Sequence, residues 1–204
     1  MARIDFTAQL DAGPCTGCRL CDLVCPSAAI SMVERKAVIA EDLCIGCGRC
    51  VDRCPEDIMW MVQRPEPLVK TVGRDEVDGA AVDALLLRAG IEPEISVCVC
   101  TLTSAWEIAA AVVKGAANLD QVSEMTGMRS GCGIYCVAPA LRLLQAAGAD
   151  MSPPKGHRWY PCTVALWDLP AEVSERYADG LIDADRNSFD PTRRYRPLTE
   201  DAQA

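Results

Sequence analysis

Aromatic side chains are scarce in this chain, with two Phe, four Trp and four Tyr among 204 residues. A small domain short of large hydrophobes needs another source of stability. Histidine is scarcer still, and the solitary His157 is read as structural. Positive charge is also short. Twenty Lys and Arg face twenty-nine Asp and Glu, a net charge of −9, so a nucleic-acid partner, which asks for a basic face, is excluded; the acidity serves solubility. No apolar run is long enough for membrane insertion, because the longest, "SAWEIAAAVVKGAANL", is broken by Glu107 and Lys114. The opening "MARIDFTAQLDAG" has no basic n-region, apolar h-region or twin arginine. The expectation is a cytoplasmic location, where clustered cysteines bind metal more often than they cross-link. A Gly-x-Gly-x-x-Gly loop, a phosphate-binding Walker loop and a His/Asp/Ser constellation are all missing. Substrate chemistry has no visible home on the chain, and no catalytic residue is assigned.

What the chain has is cysteine, thirteen in all. "CTGCRLCDLVCP" at 15–26 returns as "CIGCGRCVDRCP" at 44–55, so that Cys15, Cys18, Cys21 and Cys25 recur 29 positions on as Cys44, Cys47, Cys50 and Cys54. Four cysteines within eleven residues cannot all pair as disulfides without severe strain. Three thiolates in a tight C-x2-C-x2-C loop instead grip one face of a cubic iron–sulfur cluster, with Gly17, Gly46 and Gly48 keeping the backbone small there. In two-cluster chains the fourth cysteine of each run serves the other cluster. Cys15, Cys18, Cys21 and Cys54 would then hold one [4Fe-4S] cluster, and Cys25, Cys44, Cys47 and Cys50 the second. A zinc ribbon would use two separated pairs rather than two quartets. Pro26 and Pro55 turn the chain out of each loop, and the alternation in "ARIDFT" and "AVIAEDL" suits short strands. Residues 1–67 resemble the bacterial-type two-[4Fe-4S] ferredoxin family, on both Cys-Pro ends and the apolar Ile30 and Ile58 that follow them. The resemblance implies a pseudo-twofold domain with two complete clusters of low potential.

"QRPEPLVKTVGRDEVDG" is rich in Pro, Gly and charge and reads as a boundary. "AAVDALLLRAG" then places Val82, Leu85, Leu86 and Ala89 on one helical face, with Gly90 as a stop. Next come a C-x-C pair, Cys98 and Cys100, and a C-x3-C pair, Cys132 and Cys136. Between them, Thr103 or Ser104 can cap a helix with Trp106, Ala109, Ala110 and Val113 on one face, ending near Gly115. Asn118 or Asp120 can open a second helix that stops at Gly127. "CVAPALRLLQAAG" supplies a third, closed by Gly148. A helical hairpin would return the chain so that both pairs meet as a four-thiolate site. This stretch resembles the [2Fe-2S] domain of bacterioferritin-associated ferredoxin over residues 95–149. The founding member has C-x2-C in its second pair, a spacing in which this chain departs from it. The resemblance implies a [2Fe-2S] cluster on Cys98, Cys100, Cys132 and Cys136, and zinc on the same thiolates is the alternative.

In the last fifty residues a Pro-rich break is followed by His157, Cys162 and scattered aromatics. Cys162 is the unpaired thirteenth cysteine and reads as a small buried hydrophobe. Arg193, Arg194, Tyr195 and Arg196 suit a partner surface.

The whole reads as an α+β chain. A pseudo-twofold two-[4Fe-4S] ferredoxin domain (1–67) is followed by a linker with a short helix (68–94). A small all-α helix-turn-helix [2Fe-2S] domain (95–149) and an irregular C-terminal extension for partner contact (150–204) complete it. The expected role is that of an electron-transfer iron–sulfur subunit in a hetero-oligomer. Its expected partner is the catalytic subunit of an oxidoreductase, a flavoprotein, because nothing here accepts a hydride. Iron–sulfur or metal delivery is the alternative, against which the two-cluster first domain argues.

Overall fold

The repeat in the sequence is also a repeat in space. In the computed structural model, which describes residues 1–152, 169–180 and 182–188, β1 (Ala2–Leu10) pairs antiparallel with β4 (Met59–Lys70). Likewise β2 (Ile30–Val33) pairs with β3 (Lys36–Ile39). The displacement that relates the cysteines relates the registers too. Thr7↔Val62, Ala8↔Met61, Gln9↔Trp60 and Leu10↔Met59 become Lys36↔Val33, Ala37↔Met32, Val38↔Ser31 and Ile39↔Ile30. Two one-turn helices obey the same shift, α1 (Leu20–Val24) and α2 (Arg49–Arg53). So do the left-handed residues before them, Arg19 and Gly48, and those after, Ala28 and Asp57. Each half is therefore a strand, a cysteine loop, a helical turn and a second strand, and the first strand of each half pairs with a second strand.

The halves differ where β1 and β4 run on past the repeat. Between Ile4 and Phe6 the register slips, and Arg64 to Pro67 form the irregular side. Pro65 and Pro67 lack a ladder donor, which an edge strand at a bulge tolerates. Gln63–Lys70 thus continues a paired strand, although its composition reads as a boundary. The extended arms meet the helices that follow. Lys70 Nζ lies 3.0 Å from Glu124 Oε1, and Thr71 Oγ1 donates to Glu107 Oε1 at 2.7 Å. A Cβ on Gly127 would come within 2.5 Å of the Ala2 Cβ.

The helices obey local chemistry. Asp78 caps α3 (Gly79–Ala89) by accepting from the Ala80 amide, and Gly90 ends it at φ 64°. Its buried residues are Val82, Leu85, Leu86 and Ala89, the face marked by the sequence. Ser104 caps α4 (Ala105–Val113) and Asn118 caps α5 (Leu119–Thr126), which stops at Gly127. Then α6 (Val137–Ala146) buries Ala140, Leu141, Leu143 and Leu144. One expectation needs correction: α4 is buried from Ala105 to Val112 all round rather than on one face, and Val113 is only half-buried. It packs against α3, α5 and α6 at once, and its run of alanines lets neighbours approach on every side.

Two further expectations are corrected. The second domain is not all-α, because β5 (Ser96–Cys98) and β6 (Thr103–Ser104) form a small antiparallel pair. The first Cys pair sits at its closed end, where the chain must reverse within a few residues. The C-terminal extension is not irregular where it is described. The chain divides into two units, Met1–Pro161 and Cys162–Ala204, and the second holds α7 (Ala171–Arg176), a 3-10 turn (Ala178–Gly180) and α8 (Ile182–Ser188). His157, Cys162 and Arg193 to Arg196 lie outside the described residues. Among those described, no helix is long and apolar enough to cross a membrane.

Candidate metal centres

The turns of the repeat bring together cysteines that are distant in sequence. Cys15, Cys18 and Cys21 line a pocket together with Cys54, from the other motif. Cys44, Cys47 and Cys50 line a second, together with Cys25. The exchange follows from each fourth cysteine closing its own helical turn. The amide of Cys25 donates to Asp22 O and that of Cys54 to Val51 O, and the chain then leaves extended toward the opposite half. Among the described residues no three His, Cys, Asp or Glu side chains close on one point as the ligands of a single ion do. Each quartet stands around a space instead.

The loops can turn this tightly only because of glycine. Gly17 and Gly46 hold φ values of 76° and 68°, and a Cβ there would lie 2.5 Å from Arg35 O and 2.7 Å from Phe6 O. Cations hold each loop from outside. Lys36 Nζ donates to Gly13 O and Cys15 O, at 2.9 and 2.7 Å. Arg64 Nη2 donates to Glu41 O and Cys44 O, at 2.6 and 3.1 Å.

Backbone amides aim at the sulfurs. Those of Ala37 and Gly17 hold the Cys15 thiol below its ordinary pKa, and the Ala29 amide lies 3.2 Å from Cys25 Sγ. Burial acts the other way on the inner cysteines. It raises Cys21 and Cys47, and it pushes Cys50 up to about 12. Metal can replace the proton on such a buried thiol, releasing it as the site fills.

The second constellation also converges. Cys98, on β5, and Cys136, at the head of α6, are buried and hydrogen-bonded sulfur to sulfur. The shared proton holds Cys98 low and Cys136 high. Cys100 and Cys132 are exposed, and the Cys132 amide donates to Cys100 Sγ at 3.4 Å. The amides of Ile134 and Tyr135 hold the Cys132 thiol low. A Cβ on Gly131 would meet Cys100 Sγ at 2.7 Å, so the second turn needs its glycine to approach the first. The C-x3-C spacing spans this turn and starts α6 immediately after Cys136.

All twelve cysteines singled out by spacing therefore fall into three groups of four. Two arginines beside them carry no spacing signal and emerge only from the fold: Arg49, between Cys47 and Cys50, and Arg129, ahead of Cys132. Each reaches from one cysteine loop to another.

Comparison with known families finds two iron–sulfur domains. Residues 7–63 match the family model of a 4Fe-4S dicluster domain, and residues 96–146 match that of a BFD-like [2Fe-2S] binding domain. The chain carries these two iron–sulfur domains, in that order. No curated protein and no solved structure gives a significant match. An all-thiolate donor set around a cavity, with amides directed at sulfur, suits an inorganic cluster, whose potential depends on such hydrogen bonds.

Proposed function

We propose that the protein is an electron-transfer subunit holding two [4Fe-4S] clusters and one [2Fe-2S] cluster. It would serve a cytoplasmic oxidoreductase whose catalytic subunit is a flavoprotein. Cys15, Cys18, Cys21 and Cys54 are the ligands of the first site, Cys25, Cys44, Cys47 and Cys50 those of the second, and Cys98, Cys100, Cys132 and Cys136 those of the third. The observation that carries the reading is the pair of cavities, each lined by three cysteines of one motif and the last of the other. A bound cluster supplies a one-electron couple. The chain's own groups do the rest. Thiolates bind, the amides of Gly17, Ala29, Ala37 and Arg49 direct hydrogen bonds at sulfur, and burial of Cys21, Cys44 and Cys50 keeps water from the inner faces. A two-electron substrate needs a converter on another polypeptide, and flavin is the usual one.

Anaerobically prepared protein should contain about 10 Fe per chain with equal labile sulfide. About 8 Fe with one zinc would remove the [2Fe-2S] assignment and leave the first domain standing. The partner is tested separately, by purification of the native complex. A chain that purifies alone and turns over a substrate unaided would overturn the subunit reading.

A further inference from the structure

Arg49 and Arg129 make the same pair of contacts in opposite directions. Arg49 lies on α2 between two cysteines of the second site, and its amide points at Cys47 Sγ. Its guanidinium leaves that loop and donates to Arg129 O and Gly131 O, both at 3.4 Å. A Cβ on Gly133 would collide with this guanidinium. Arg129 in turn directs its amide at Cys98 and Cys136. Its guanidinium crosses back to donate to Pro26 O at 3.1 Å, the carbonyl directly after Cys25. Each arginine thus holds a sulfur of its own site through the main chain and the backbone of the neighbouring site through the side chain.

Arg129 is built in at some expense. It is a non-glycine residue at φ 69°, a conformation that persists only where surroundings over-determine it. Its side chain is 15% exposed, and its Nε is buried with no hydrogen-bond partner among the described residues. Asp120 Oδ1, 2.8 Å from Nη1, fixes the head group. By contrast, among the described residues no hydrogen bond joins the Cys15–Cys21 loop to residues 95–149.

We propose that Arg49 and Arg129 form the junction between the Cys25–Cys44–Cys47–Cys50 site and the Cys98–Cys100–Cys132–Cys136 site. They thereby fix the order of electron movement, with the Cys15–Cys18–Cys21–Cys54 site at the far end. The inference rests on the cluster assignment above. One electron crosses at a time, so one site is oxidised by one as the other is reduced by one. Tunnelling favours covalent and hydrogen-bonded routes over gaps, and Cys25–Pro26–Arg129–Cys98 is such a route. The two cations also favour the reduced, more negative state of both sites they join.

The test uses full-length, anaerobically reconstituted protein and the variants Arg49→Gln and Arg129→Gln, checked for unchanged iron. Redox titration followed by electron paramagnetic resonance should show the midpoint potentials of the second and third sites moving negative while that of the first stays put. Electron exchange between the second and third sites after flash reduction should slow about tenfold, the lower range for loss of a group supporting a metal's ligands. Arg129→Lys, which keeps the charge but not the fork, should restore the potential more than the rate. In wild-type protein, which needs no altered fold, the [2Fe-2S] signal should relax faster only when the second site is reduced. Relaxation that responds to the first site instead would overturn the proposed order. Unaltered potentials and rates in both glutamine variants would overturn the junction. Zinc in place of a [2Fe-2S] signal in the wild type would overturn the cluster assignment itself, and the proposal with it.

Discussion

Residues 2–70 and residues 79–146 are built from different materials. The fully buried large side chains belong mostly to the second stretch: Val82, Leu85, Leu86, Ile108, Val122, Met128, Leu143 and Leu144. The larger core of the first consists of Ala8, Ala29, Ala37, Ile30 and Met59 together with Cys21, Cys44 and Cys50, and a smaller one of Ala2, Ile4 and Ile45. One stretch is held by apolar packing between helices. The other packs small residues and cysteines around two pockets, which the proposed clusters would fill. A small domain of this kind gains its folding free energy from metal binding. Thiolate chemistry can therefore be written into a sequence at the expense of hydrophobic volume.

Removing iron would test that difference most severely. Chelation under reducing conditions should abolish amide-exchange protection in β1 to β4. The amides of α3, α4 and α6 should keep most of theirs, because apolar packing among these helices holds them, and the loss there should be confined to the turns that carry Cys98, Cys100, Cys132 and Cys136. Equal loss in both stretches would show that the strand arms, through Lys70–Glu124 and Thr71–Glu107, make the two a single cooperative unit. The converse perturbation is Leu143→Ala. This side chain is fully buried, and the truncation should cost about 2–5 kcal/mol. Denaturant titration of loaded protein should show the loss in the helical transition, with the [4Fe-4S] absorbance retained until a later one.

Within the first stretch, Gly46→Ala should be smaller in free energy but local in effect. A left-handed alanine costs roughly 1–3 kcal/mol, and the added Cβ would press on Phe6 O at 2.7 Å. Because Gly46 stands between Cys44 and Cys47, the expected outcome is iron lost from the second site before the first. Iron lost equally from both would mean that the crossed ligands tie the two sites together more tightly than the loops do.

The cysteine groups were legible because ligand spacing is a short-range constraint. A tight loop must place its sulfurs within a few residues, and the repeat carries the same constraint twice. Helix ends at Asp78, Ser104, Asn118, Gly90 and Gly127 were legible for the same reason, since capping depends on adjacent atoms. Three features were not. The strand character of Gln63–Lys70 comes from pairing with β1 across an irregular register, which overrides two prolines. The all-round burial of α4 comes from neighbours on every side. Arg49 and Arg129 stand beside cysteines but carry no spacing signal of their own, and only the docking of β1 and β4 against α5 brings their loops together.

The finest comparison lies between the two copies of the cysteine loop. At equivalent positions the chain carries Arg19 at φ 68° and Gly48 at φ 72°. A left-handed backbone costs a non-glycine residue roughly 1–2 kcal/mol, so the first copy is strained where the second is not. Arg19 regains part of this through its ion pair with Asp22, 2.9 Å away, whose ends are 64% and 25% exposed. Such a surface pair contributes about 0–1 kcal/mol. The position equivalent to Asp22 is Val51, so an arginine placed at 48 would find no carboxylate there. Arg19→Gly should therefore stabilise loaded protein by up to about 1 kcal/mol, strain relief outweighing the lost pair. Gly48→Arg should destabilise it by the full ~1–2 kcal/mol. The measurement is the denaturant midpoint of the iron-dependent transition, at low and at high salt. Salt should widen the gap between wild type and Arg19→Gly, at most to the full backbone strain, because screening weakens the ion pair that only wild type has and leaves the strain untouched. If Arg19→Gly destabilises at both salt concentrations, the left-handed arginine is held by contacts beyond Asp22, and the two copies differ in more than strain.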